Sequence, residues 1–97
     1  VNINPVSALK LPGEYGTRDC KIIADDFKVE YGGVTPFIDP GDQYPVGHWI
    51  NKVKTGNGIY YIDYYWQRIF SNSDDVVAWY EGMTGFTGVR LIDMELL

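Results

Sequence analysis

Val46-Gly47-His48-Trp49-Ile50-Asn51-Lys52-Val53-Lys54-Thr55-Gly56-Asn57-Gly58, running on into Ile59-Tyr60-Tyr61-Ile62-Asp63-Tyr64-Tyr65-Trp66-Gln67-Arg68-Ile69-Phe70, is the stretch on which the fold turns. Its first half supports two readings. Val46, Trp49, Ile50 and Val53 fall at i, i+3, i+4 and i+7, a helical stripe that Pro45 would start and Gly56 would cap. The same residues lead into Thr55-Gly56-Asn57-Gly58, and Asn-Gly between apolar runs is a strong hairpin signal. Gly47 inside the stripe costs a helix ~1 kcal/mol relative to Ala, so the hairpin is the favoured reading. Ile59–Phe70 then reads as a strand whose even positions, Tyr60, Ile62, Tyr64, Trp66 and Phe70, face the core.

Downstream, Ser71-Asn72-Ser73-Asp74-Asp75 supplies N-cap candidates and first-turn acids ahead of Val76–Tyr80, and Gly82 sits where a C′ residue belongs. This predicts a short helix over about Asp74–Glu81. Its stripe, Val76, Trp79 and Tyr80, must lie on the sheet, so Trp66 and Trp79 are expected to be buried neighbours. Met83–Gly88 reads as a Gly-rich loop. Val89–Leu96 reads as a last strand with Arg90, Ile92, Met94 and Leu96 facing the core. Upstream, Val34–Pro45 holds three of the five prolines and is expected to be a long ordered loop. Cys20–Tyr31 looks strand-like: Cys20, Ile22 and Ala24 share a face, Phe27, Val29 and Tyr31 alternate with Lys28 and Glu30, and Asp25-Asp26 forms a turn or bulge. Val1–Leu11 reads as extended or irregular, with a turn at Pro12-Gly13 and loop to Gly16. The whole, residues 1–97, is one α+β domain: a mostly antiparallel sheet of four to five strands with one short helix packed on it. A small all-β barrel is the rival architecture.

Bulk properties remove several functions. A chain of 97 residues supplies one core, not two. Thirteen acids against eight bases leave a net charge of −5, which argues against duplex nucleic acid held through its phosphates. Cys20 is the only cysteine, so neither an internal disulfide nor a thiolate metal cage can form, and a reducing, cytoplasmic setting is expected. No apolar run is long enough to span a membrane, and Val1–Leu11 lacks the regions of a signal peptide. Val1 is small enough to follow a removed initiator Met, as expected of a complete cytosolic product.

Candidate sites are few. His48 is the only histidine, and a nucleophile pair would have to combine it with Cys20, Ser7, Ser71 or Ser73. Nothing nearby resembles a nucleophile elbow, so His48 beside Trp49 reads as a rim residue and Cys20 as a core thiol. Asp25-Asp26, Asp39/Asp42 and Asp74-Asp75 are explained by turns and capping, and no cofactor or metal is expected. Gly82, Gly85 and Gly88 follow a helix instead of leading into one, the opposite of a phosphate cradle. The remaining signal is the face opposite the assigned core face: Tyr61, Asp63, Tyr65 and Gln67, a row of rigid rings with polar tips. With Trp49 and His48 it makes the candidate binding surface, leaving catalytic residues unassigned. The expected function is therefore a small acidic, non-enzymatic protein-binding module steered toward a basic partner, such as an inhibitor, immunity-type or assembly protein of a phage or mobile element, in the host cytoplasm or the virion. The alternatives are a carbohydrate-binding module and a small hydrolase using His48 with Asp63 or Asp42.

Overall fold

The turn at Gly56-Asn57 resolves the ambiguity of residues 46–55 in favour of strands. In the computed structural model, which describes residues 20–96, β3 (Asn51–Thr55) and β4 (Gly58–Asp63) pair antiparallel from Asn51↔Ile62 to Thr55↔Gly58. The expectations for Val1–Leu11, Ser7, Pro12-Gly13 and Gly16 lie outside the described residues. β5 (Arg68–Phe70) completes a three-stranded sheet in the order β3-β4-β5. Ile59–Phe70 is thus two strands, not one. They fold back through Tyr64–Gln67, where Gln67 takes φ 55.

A second three-stranded sheet has the order β2-β1-β6, from β1 (Phe37–Asp39), β2 (His48–Trp49) and β6 (Arg90–Ile92). All pairings within both sheets are antiparallel, and neither sheet closes into a barrel. The expected loop Val34–Pro45 therefore contains a central strand. Pro36 and Pro40 flank β1 without entering its ladder, so the missing N–H groups cost no strand pairing. The two sheets join at Ile50, whose N–H donates to the Pro36 carbonyl at 3.1 Å, and at the isolated bridge Val34↔Lys52.

The largest departure from expectation is Cys20–Tyr31, which is a 12-residue helix, α1. Ile23, Phe27 and Tyr31 recur at i, i+4 and i+8 with Ala24 beside them, and Ile23, Ala24 and Phe27 are buried. Asp25 lies outside, bonded by Lys21 at 2.7 Å across one turn. The apparent alternation of Phe27, Val29 and Tyr31 misleads because Val29 is 87% exposed. Gly32 and Gly33, both with positive φ, then turn the chain, and a Cβ on Gly33 would run into the Lys52 carbonyl.

The second helix, α2 (Ser73–Thr84), begins where expected and runs a turn further. The Asn72 side chain accepts from the Asp75 N–H at 2.9 Å, and the C-terminus is closed by Gly85 in the left-handed region, not by Gly82. The chain thus has six strands and two helices among the described residues, where one helix and four to five strands were expected.

Alternate residues of β4 feed two cores. Ile62 joins Ile23, Phe27, Val53 and Tyr64 beneath α1, whereas Tyr61 joins Ile38, Ile50, Val76, Tyr80 and Val89 on the side of α2. Both sheet faces are covered, so odd and even positions are alike buried. Tyr61 is not a free surface residue: it is 7% exposed, and its hydroxyl donates to Asp93 at 2.5 Å. Trp66, expected inside, stands 47% exposed in the β4–β5 turn, while Trp79 packs half-buried against Phe70. In the last strand the assignment also inverts. Val89 is buried and Leu91 packs on the core, leaving Ile92 and Met94 exposed.

Candidate functional site

Three separate pieces of chain meet at one cleft. Cys20 opens α1, and α1 is held to the sheet by its buried side chains and by Asn51, whose Nδ2 donates to the Ala24 carbonyl at 2.9 Å. His48 starts β2 opposite Ile38, and Gly47 before it packs so closely on Phe37 that a Cβ there would clash with the ring. Asp63 ends β4. The register Asn51↔Ile62 brings Asp63 alongside the strand just upstream of Asn51, within reach of His48.

There the His48 Nε2 donates to Asp63 Oδ2 at 2.7 Å, in a bond buried from solvent. The second carboxylate oxygen, Oδ1, accepts the Trp66 N–H at 3.0 Å, which fixes the carboxylate plane. Asp63 is 1% exposed and His48 7%. The His48 side chain is also hydrogen-bonded with that of Cys20. Burial by itself favours the neutral ring, but the hydrogen bonds with Asp63 and Cys20 and the charges on those groups outweigh it, raising His48 from its ordinary 6.5 to about 9. The imidazole is further held by two rings: Tyr80 stacks on it at 5.9 Å with 22° between planes, and Tyr65 meets it edge-on at 6.0 Å. Burial, followed by the charge at Cys20, pushes the Tyr80 hydroxyl up, so it stays protonated.

The cleft has a volume of about 390 Å³ and is lined by Cys20 and His48 among aromatic and apolar side chains. Cys20 and Asp63 flank the imidazole and do not converge on a common point. Among the described residues no group of three or more His, Cys, Asp or Glu is placed to hold a metal ion. His48 is thus hydrogen-bonded with both a thiol and a carboxylate, the residue types that nucleophilic catalysis combines.

Of the sequence-derived candidates, the structure brings His48, Asp63 and Tyr65 together and leaves the others apart. Tyr61 is bonded to Asp93, Gln67 occupies the turn, and Trp49 packs on Phe37 at 4.6 Å with the Lys21 ammonium over its ring. The row Tyr61, Asp63, Tyr65, Gln67 is therefore not one exposed face. Asp42 lies in the short 3₁₀ turn Gly41–Gln43, and the carboxylate bonded to His48 is that of Asp63. Sequence reasoning missed the roles of Cys20, Tyr80 and the Trp66 N–H. The signal for Cys20 was present: reading Ile23, Phe27 and Tyr31 as a helical run puts the thiol on their face of the helix.

No family model, curated protein or solved structure matches the chain.

Proposed function

We propose that the protein is a cysteine hydrolase, with Cys20 as nucleophile, His48 as general base and acid, and Asp63 as the group that orients His48. The observation that carries this reading is the buried chain of hydrogen bonds Cys20–His48–Asp63 opening onto a cleft. A thiol paired with an imidazole of raised pKa has a feature that favours a reactive thiolate.

The chemistry follows from the geometry. Proton transfer from Cys20 to His48 gives a thiolate and an imidazolium, the latter held by Asp63. The Sγ attacks an acyl carbon, forming a C–S bond and a tetrahedral oxyanion. When the bond to the leaving group breaks, His48 passes its proton to that group, leaving Cys20 as a thioester. His48 then takes a proton from water, the hydroxide adds to the thioester, and the C–S bond breaks to release the acid and restore the thiol. Asp63 remains a carboxylate throughout and keeps the imidazole in the orientation both transfers need.

Alkylation by iodoacetamide, followed by intact mass, tests this directly because Cys20 is the only thiol. The expected result is rapid labelling at about pH 6, where a free thiol with a pKa of ~8.5 is almost inert. In His48→Ala the labelling should revert to the pH dependence of an ordinary thiol. Labelling of the unaltered protein that simply titrates near ~8.5 would overturn the proposal.

A further inference from the structure

We infer that the acyl group this site accepts carries a bulky, uncharged apolar side chain, aromatic or branched aliphatic, next to the scissile carbonyl. The inference rests on the hydrolase reading and adds the substrate class to it. It comes from the walls of the cleft, not from the catalytic groups. Charged residues make up 22% of the chain, yet among the described residues no Lys, Arg, Asp or Glu lines this cleft. Around Cys20 and His48 the surface is instead built from Tyr44, Val46, Trp66, Met83 and Phe86.

Four of these are also exposed: Tyr44 by 50%, Val46 by 60%, Trp66 by 47% and Met83 by 42%. They are four of the nine large hydrophobic side chains exposed among the described residues, gathered at one place. An apolar rim in contact with water is unfavourable unless a ligand covers it, and this rim surrounds the nucleophile. A charged acyl side chain would lose its hydration there, and the charges it would meet on the described walls, those of Cys20 and His48, are already paired with each other. An apolar one covers Trp66 and Met83 and is itself removed from water. The cleft volume, about 390 Å³, is of the size that encloses a large side chain with some flanking backbone.

The walls are also coupled to the chemistry through the chain. Val46 precedes His48 by two residues, and the Trp66 N–H is the donor that holds Asp63. Tyr65 and Trp66 meet at 4.8 Å in a T-shaped pair, and Tyr44 and Phe86 at 5.5 Å, so the rings present preformed flat surfaces.

The test uses a series of blocked dipeptidyl chloromethyl ketones that differ only in the residue bearing the ketone: Phe, Leu, Lys or Glu. Each alkylates Cys20 by displacement of chloride by the thiolate, and the rate is read by intact mass. Rates are divided by that of iodoacetamide on the same protein, so intrinsic thiol reactivity cancels. The Phe and Leu probes should label at least about fivefold faster than the Lys and Glu probes, an energy difference of about 1 kcal/mol. A smaller advantage, or faster labelling by a charged probe, overturns the substrate class while leaving the hydrolase reading intact. Loss of iodoacetamide labelling at about pH 6 overturns the hydrolase reading itself. Val46→Glu and Met83→Glu, at exposed positions where a carboxylate is solvated, should shift the ratio toward the Lys probe at the expense of the Phe probe. An unchanged ratio in both variants would place the selecting walls elsewhere and overturn the assignment.

Discussion

The two faces of the sheet β3-β4-β5 are built from the same kinds of residue and put to different uses. Under α1, Ile23, Phe27, Val53, Ile62 and Tyr64 make a sealed apolar layer. On the side of α2, Tyr61, Tyr80 and Val76 also pack as core, but Tyr80 ends this layer against the imidazole of His48 and an open cleft. Burial on the first face does nothing beyond holding α1 in place. On the second it also removes water from a hydrogen-bonded histidine and carboxylate. The difference teaches that the aromatic excess of the chain is not one phenomenon: some rings are filling, and others set the environment of a titratable pair.

Truncation on the sealed face should have the largest effect on stability and none on chemistry. Phe27 is fully buried, with Tyr31 at 4.7 Å and Tyr64 at 6.2 Å from its ring. Phe27→Ala should lower stability by about 3–5 kcal/mol in denaturant titration. The molecules still folded should label at Cys20 with iodoacetamide at an unchanged rate, since Phe27 touches none of the relay. A loss of labelling in the folded fraction would show that α1 transmits strain to its first residue, and the two faces would not be separable.

Asp63→Ala should affect both quantities. It leaves a buried imidazole without its acceptor and the Trp66 N–H without its own, a loss of about 3 kcal/mol by comparison with other broken buried pairs. Labelling of Cys20 at about pH 6 should fall at the same time, because the imidazolium that stabilises the thiolate is no longer held. If stability falls and labelling does not, Asp63 is a structural partner of His48 and the relay ends at the imidazole.

A third measurement distinguishes the faces by pH. The folded pKa of His48, about 9, lies above its unfolded value of 6.5, so the folded state binds the extra proton between these limits. The stability contributed by protonated His48 is thus complete below pH 6.5 and is lost as pH rises through about 9. Cys20 is itself one of the groups that raise His48, so the slope is best read in Cys20→Ser, where the upper limit should lie below that of the native protein. The thermal midpoint of Cys20→Ser should fall as pH is raised from 6.5 toward 9, and adding His48→Gln should flatten the curve. If the hydrolase proposal holds, turnover of an amide by the unaltered protein should decline above about pH 9, when the imidazolium has lost the proton it passes to the leaving group.

The sequence carried the hairpin, the α2 start and the α+β class because each rests on local chemistry: a turn at Gly56-Asn57, an Asn72 cap, a stripe at Val76 and Tyr80. What it did not carry was which of two periods governs residues 20–31. Asp25-Asp26 splits that segment into two short runs, and over five residues Phe27, Val29 and Tyr31 satisfy a strand as well as Phe27 and Tyr31 satisfy a helix. The site was obscured for the same reason. His48 with Asp63, and His48 with Cys20, were each legible as pairs, but a Cys in a strand core has no claim to reactivity, whereas a Cys hydrogen-bonded with the same histidine does. Faces were misassigned along Tyr60–Trp66 because a sheet covered on both sides has no polar face to set the phase.

The smallest expected effect is the most direct test of that reading. Val29 lies in the middle of α1 and is 87% exposed, whereas Phe27 and Tyr31, two residues to either side, turn toward the core. If the segment were a strand, all three would share a face and Val29→Lys would bury a charge beside Phe27. In the helix, position 29 is rotated by about 200° from position 27 and points to water. Lysine has a higher helix propensity than the β-branched valine, so Val29→Lys should leave stability within about 0.5 kcal/mol and shift it, if anywhere, upward. Denaturant titration of Val29→Lys beside Phe27→Ala makes the comparison within a single turn of chain. Similar losses in the two variants would break the helix assignment, and with it the placement of Cys20 on α1 on which its pairing with His48 depends.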